Sequence, residues 1–236
     1  MPNPPTARSR WNTFTRDLAD LTLGRACAGC ALPGTHLCAE CAQAAMPQVT
    51  LHQQLEFSEV MTGLRLPVVR ALTYSGSTRQ IIYRFKDHGD FSVRPLLSSA
   101  LAEALLHLIN HVTLSTCLVA PIPSRSRSIR KRGFCPVTQL TEAAIRQLAV
   151  TTTHLMRSDL LRDIRTIRSD KSLGTADRAL VAGGAFRITC SPPALPVIVV
   201  DDVVTSGATM REAIATLLHA GVHVVGGVAL AATPRS

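Results

Sequence analysis

Long apolar runs are missing from this sequence, and none approaches the ~18 residues that a bilayer-spanning helix needs. The first 24 residues also lack the unbroken apolar core of a signal peptide, because Arg16, Asp17 and Asp20 interrupt them. A cytoplasmic protein is therefore expected. Aromatic residues are scarce, at 4% of the chain. A surface that grips nucleic acid by stacking its bases is thus poorly supplied, and any such binding would be largely electrostatic. Acidic residues are in short supply as well: 16 Asp and Glu stand against 25 Lys and Arg, a net charge of +9. That balance favours anionic partners, whether nucleic acid, phosphorylated metabolites or acidic lipid, without choosing among them. No internal repeat and no low-complexity segment is present, which sets aside solenoids and disordered linkers.

What is present describes an ordered protein. With 236 residues, 46% of them hydrophobic, the chain can form one α/β domain with a sizeable core and a small appendage. Residues 1–47 hold a cluster of cysteines and a short segment in which Trp11, Phe14, Leu18 and Leu21 fall at helical spacing. That segment reads as a helix docking on its own domain, with a membrane-surface helix as the alternative. Residues 48–66 are polar and weakly periodic, and read as a connector. From residue 67 to 236 strands and helices alternate, which predicts a parallel sheet flanked by helices. The expected strands are 68–74, 117–122, 197–203 and 222–229, all short apolar runs suited to burial on both faces. The expected helices are 78–87, 95–110, 136–149 and 208–220. Ser77 is placed as a cap of the first, with Ile81, Ile82 and Phe85 on its inner face, and Gly221 as the stop of the last.

Chemistry concentrates at residues 197–209. Four apolar residues, Val197 to Val200, run into two adjacent carboxylates, Asp201 and Asp202. Val203 and Val204 follow, then Thr205-Ser206-Gly207-Ala208-Thr209 and a helix. In open α/β sheets ligands bind beyond the carboxyl ends of the strands, where this turn lies. Backbone N–H groups at a helix start are unpaired and carry partial positive charge, so they suit a phosphate. Gly207 permits close approach, and Thr205, Ser206 and Thr209 add hydroxyl donors. Two carboxylates beside a phosphate make sense when they bind something else, such as ribose hydroxyls or a Mg²⁺ shared with them. A strand that merely ends in Asp before a capping turn is the plainer alternative. The complete register from Val197 to Thr209 speaks against it.

A second loop, Pro121-Ile122-Pro123-Ser124, follows another buried strand and so emerges at the same edge. Five cations come next within eight positions: Arg125, Arg127, Arg130, Lys131 and Arg132. They can hold a pyrophosphate, form a solvated face, or grip a nucleic-acid backbone. No His or Glu is placed convincingly as a general base.

Seven cysteines, an odd number, with no export signal argue against a disulfide framework. Cys27-x-x-Cys30 and Cys38-x-x-Cys41 form two short knuckles, and four thiolates close a tetrahedral structural zinc site with no open catalytic position. Cys117, Cys135 and Cys190 are isolated.

Together these motifs resemble the ComF/GntX family, proteins like the competence protein ComF that combine a type I phosphoribosyltransferase-like fold with an N-terminal zinc finger. The resemblance covers nearly the whole chain. It runs through both cysteine knuckles, Tyr74-Ser75-Gly76-x-x-Arg79, Phe85-Lys86-Asp87-x-Gly89-Asp90, Pro121 to Ser124, Lys131-Arg132-Gly133-Phe134 and the acidic loop. It implies a phosphoribosyltransferase acting on phosphoribosyl pyrophosphate (PRPP) with Mg²⁺ and an acceptor the sequence does not name. It further implies that Asp201 and Asp202 contact the ribose, that residues 205–209 hold the 5′-phosphate, and that Pro123, Ser124 and Lys86 belong to the ligand site. Arg132 and Gly133 are implied as a closing element on the pyrophosphate side. A role in DNA uptake follows from the same resemblance. The alternative is a non-catalytic accessory protein that binds single-stranded DNA or a competence helicase, with PRPP or a nucleotide as regulator. Departures lie at the acceptor end: Cys135 stands where the family pattern has Asn, and Asp170 and Val181 stand where it has amides ahead of Gly184-Ala185-Phe186.

Overall fold

The internal contacts of the chain divide it into two units. The computed structural model describes residues 26–57, 59–60, 62–149, 154–165 and 184–234. The amphipathic segment 11–21 and the departures at Asp170 and Val181 lie outside them.

The first unit comprises its described residues 26–46 together with Ser75–Val93. Its helices are α1 (Ala39–Ala44) and α2 (Gly76–His88), followed by a 3-10 turn at Phe91–Val93. Thr78 Oγ1 donates to the Ala44 carbonyl at 3.1 Å and ties the two helices. Ile81, Ile82 and Phe85 are buried, as their spacing predicts, and Phe85 meets Phe91 edge to face at 5.9 Å. The cap differs from expectation. Gly76, at φ +47°, starts the helix earlier, so Ser75 rather than Ser77 is the N-cap, and it makes no side-chain cap bond.

The second unit comprises Pro47–Tyr74 and the described residues from Arg94 onward. It contains β1 (Thr50–Glu56), β2 (Arg65–Thr73), α3 (Arg94–Val112), β3 (Thr116–Pro121), α4 (Ser126–Arg132) and α5 (Pro136–Leu148). Then come β4 (His154–Arg157), β5 (Leu161–Asp163), β6 (Phe186–Ile188), β7 (Val197–Val204), α6 (Ala208–His219) and β8 (Val224–Ala232). Six strands form one sheet in the order β1-β2-β8-β7-β3-β4, and β5 and β6 pair as a separate ribbon. All neighbours in the large sheet are parallel except β1 and β2. The expected α/β class is borne out: a mostly parallel sheet flanked by helices, with a four-cysteine cluster near the N-terminus. All four expected strands and all four expected helices form, with ends shifted by at most three residues.

The central strands have no solvent face. Val197 to Val200 are fully buried, and each such side chain contributes about 1.5–3 kcal/mol relative to exposure. Residues 48–66, read as a connector, carry β1. The reading missed it because His52, Gln54 and Glu56 break the apolar pattern on what proves to be the outer face of an edge strand. One helical stretch, Phe91–Val112, does reach a mean hydropathy of 1.2 over a span long enough to cross a membrane. Its α3 portion buries nine residues, among them Leu97, Leu101, Leu105 and Leu108, and packs on β2, β8 and α5. Its apolar character is that of a helix covering a sheet.

Candidate functional site

The acidic pair lies in the carboxyl-terminal half of a strand, and parallel pairing gives it neighbours. Asp201 and Asp202 belong to β7 and are only 9% and 7% exposed. The Asp202 backbone N–H donates to Asp201 Oδ1 at 2.8 Å, so Asp201 is partly occupied in holding its own strand end. β3 runs parallel beside β7 with Pro121 opposite Val200, and the Ile122 N–H donates to the Val200 carbonyl at 2.8 Å. Pro123 and Ser124 therefore leave the sheet at the edge where Asp201 and Asp202 stand. Sequence order alone separates these groups by nearly eighty positions.

Beyond the pair, the chain bends through Thr205, Ser206 and Gly207 into α6. Gly207 is the N-cap, at φ +81° and ψ 0°. The loop is tied at both ends: Thr233 N–H donates to the Val204 carbonyl at 3.0 Å, and Arg211 N–H to the Gly207 carbonyl at 2.8 Å. Thr205 and Ser206 are exposed, and Asp201 with residues 203–210 lines a shallow cradle of about 20 Å³. Thr205, Ser206, Gly207, Ala208 and Thr209 are thus brought together as a small concave turn at a helix start, suited to an anion. Gly207 is favoured by its backbone conformation first and by its surroundings second. Its positive φ costs an L-residue roughly 1–2 kcal/mol, and an added Cβ would stand 2.5 Å from Gln53 Nε2. Gly207→Ala is expected to lower stability by about 2 kcal/mol, roughly 4–8 °C in Tm. A melt within one degree of wild type would show that the loop tolerates a Cβ.

The cations are less organised. α4 carries Arg127, Arg130, Lys131 and Arg132, buries none of its residues, and ends at Gly133 in the left-handed conformation, φ +79°. Cys135, at the family's Asn position, sits with its Sγ 3.6 Å from Ser124 Oγ. Lys86 lies on α2 of the first unit, half-buried.

Two features near the loop were missed from sequence. In the β5–β6 ribbon the buried Asp163 receives Arg165 Nε at 3.1 and 3.0 Å, along with its Nη2, and the guanidinium lies 5.3 Å from the Phe186 ring centre. The hydrogen bonds to Asp163 raise the Arg165 pKa against the effect of burial, and the charges of Asp163, Glu212 and Asp201 add to the rise. Glu212 of α6 accepts the Ala185 N–H and so ties the ribbon to the helix behind the loop. No local pattern announces Arg165. The other feature is Gln53, for which the alternation of Gln53, Leu55 and Phe57 was an available signal.

In the first unit the sulfur atoms of Cys27, Cys30, Cys38 and Cys41 all lie within 4.8 Å of one another. Cys30 and Cys38 sulfurs are 3.7 Å apart. Around a tetrahedral zinc with bonds of about 2.3 Å, sulfurs stand about 3.8 Å apart, so the group fits zinc and is too wide for a disulfide. Gly29 and Cys38 N–H groups point at Cys27 Sγ at 3.4 and 3.3 Å. Burial by itself raises the Cys27 pKa, but the N–H groups of Cys38, Cys30 and Gly29 outweigh it and bring the thiol down to about 6. Cys41 is pushed up to about 12 by burial and then by its neighbouring thiols. Gly29 leaves room for it: a Cβ there would lie 2.6 Å from Cys41 Sγ. Cys117 is buried, and burial pushes its thiol up to about 11.

Comparison with known proteins adds relatives to this geometry. The chain is 27% identical over 207 residues to DNA utilization protein YhgH from Escherichia coli K12, covering 84% of this chain and 80% of that protein. The protein of the same name from Shigella flexneri gives the same figures. The resemblance read from the motifs is borne out by this homologue. No family model matches. Among solved structures, the allosteric regulatory enzyme of purine biosynthesis is 17% identical with a TM-score of 0.34, over 72% of this chain but only 29% of that one. A purine phosphoribosyltransferase from Pyrococcus horikoshii is 16% identical with a TM-score of 0.30, over 60% of this chain and 73% of that one. Orotate phosphoribosyltransferase from Aeropyrum pernix is 17% identical with a TM-score of 0.31, over 78% and 87%. Likeness at this level says nothing about this chain's substrate.

Proposed function

We propose that the chain binds PRPP with Mg²⁺ at the carboxyl edge of β7 and transfers its phosphoribosyl group to an acceptor, in the cytoplasm and in the service of DNA uptake. One observation carries the reading: a buried carboxylate pair runs directly into a glycine-capped loop at a helix N-terminus. The loop supplies N–H and hydroxyl donors for the 5′-phosphate, and Asp201 and Asp202 supply acceptors for the ribose hydroxyls. The pair also offers the hard oxygen donors that Mg²⁺ takes, and the ion would neutralise charge on the departing pyrophosphate. Pro123 and Ser124 flank the pyrophosphate, with Arg132 next to the glycine turn at Gly133. The chain's own part in the transfer is then to hold both anionic ends, keep water from the anomeric carbon, and stabilise charge as the bond to pyrophosphate breaks. The DNA connection rests on the name of the E. coli relative and on the family resemblance. Calorimetric titration of PRPP with Mg²⁺ tests the site, and absence of binding by a folded, zinc-loaded protein would refute it.

The exposed cations Arg125, Arg127, Arg130 and Lys131 favour a second reading, in which the protein binds single-stranded DNA or a helicase partner and PRPP acts as a regulator. Neutralising four phosphates would weaken single-stranded DNA binding roughly 50-fold between 50 and 200 mM salt. Binding that scarcely changes over that range would rule out a phosphate-dominated mode.

A further inference from the structure

The residue behind the loop's glycine is not part of the acidic-loop motif. The pairing of β1 with β2 slips between Leu51 and Gln53, which leaves His52 as an extra residue. Such a bulge bends an edge strand and re-aims the side chains beyond it. Past this point Gln53, Leu55 and Phe57 are buried, while Gln54 and Glu56 are exposed. That inner face meets the start of α6. Arg211 donates to the Glu56 carbonyl and its guanidinium lies 5.5 Å from the Phe57 ring centre. One step up the strand, Gln53 Nε2 stands 2.5 Å from the point where a Cβ on Gly207 would sit, and Gln53 is 5% exposed. A buried carboxamide costs free energy unless its polar atoms are used, and Leu or Met would fill the same volume without that cost.

We infer that Gln53 is a positioning residue for the anion-binding loop: the bulge at His52 sets its carboxamide against Gly207 and holds that residue in the left-handed conformation from which α6 starts. Gln53 does not line the cradle, so it acts through the loop and not on the ligand. Its consequence is preorganisation. A loop already fixed at Gly207 presents the N–H groups of Ala208 and Thr209 without spending binding energy on ordering them. The inference rests on the proposed PRPP reading for the identity of the anion, but not for the loop geometry.

The test uses the full, zinc-loaded chain and Gln53→Met, which keeps length and volume and removes the amide; Gln53→Leu is the second variant if Met disturbs folding. Without ligand, backbone amide exchange in residues 205–212 is expected to quicken about ten-fold, with residues 197–203 unchanged. PRPP with Mg²⁺ is expected to bind about ten-fold more weakly, while Tm moves by no more than a few degrees. Unchanged exchange in residues 205–212 overturns the inference whatever the ligand does. Where wild type binds PRPP, equal affinity in the variant overturns it too. Faster exchange in a protein whose wild type ignores PRPP upholds the role of Gln53 and refutes the ligand.

Discussion

Asp202→Asn is expected to weaken binding of PRPP with Mg²⁺ by about 100-fold while leaving zinc content at the wild-type level. The size follows from the chemistry of the substitution. A carboxylate that accepts two hydroxyl bonds, or shares a cation with them, becomes a neutral amide that offers one acceptor and two donors. Charge-assisted hydrogen bonds contribute about 1.5–3 kcal/mol each, so losing one or two accounts for a factor of that order. Stability should not fall in step, because Asp202 is only 7% exposed and an amide of the same shape is easier to bury than a charge. The same change at Asp201 should leave the strand end in place, since its Oδ1 receives the Asp202 N–H and an Asn oxygen can keep that bond. Calorimetry on the two variants separates the roles. Wild-type affinity in Asp202→Asn would mean that Asp202 does not contact the ligand.

Loss of zinc should be the other large effect. Cys41→Ala is expected to abolish zinc binding and to raise proteolytic cleavage within residues 26–46 by at least about ten-fold. The segment has few apolar residues to fold around: Cys27, Ala28, Cys41 and Ala45 are its buried apolar side chains. A structural zinc with four thiolates supplies about 10–16 kcal/mol of apparent binding free energy near neutral pH, which is folding free energy where no core exists without it. The affinity should decline as pH falls, because binding displaces protons from thiols, and Cys41 at about 12 still holds its proton at neutral pH. Metal analysis and limited proteolysis check this directly. Full zinc occupancy in Cys41→Ala, or a cleavage pattern like wild type, would contradict a four-cysteine site.

These two candidate sites were legible in the sequence because their information is local. The run from Val197 to Thr209 contains its own strand, its own carboxylates and its own helix start within thirteen residues, and the cysteines declare themselves by two-residue gaps within fifteen. The core strands were legible for a related reason: strands buried on both faces cannot alternate, so they appear as apolar runs. Where burial is one-sided the signal thins. β1 mixes Gln53 and Leu55 with His52, Gln54 and Glu56, and only the partner strand β2 decides which set faces inward.

Local composition therefore determined which residues could hold a phosphate and a metal, since those chemistries need particular groups a few residues apart. Tertiary structure alone decided what surrounds them. Parallel pairing of β3 with β7 carries Pro123 and Ser124 to the edge that holds Asp201 and Asp202. Packing of the short ribbon brings Arg165 within the field of Asp201. The bulge at His52 sets Gln53 beneath Gly207. Each of these depends on strand register, which is a property of two segments at once and is written in neither of them.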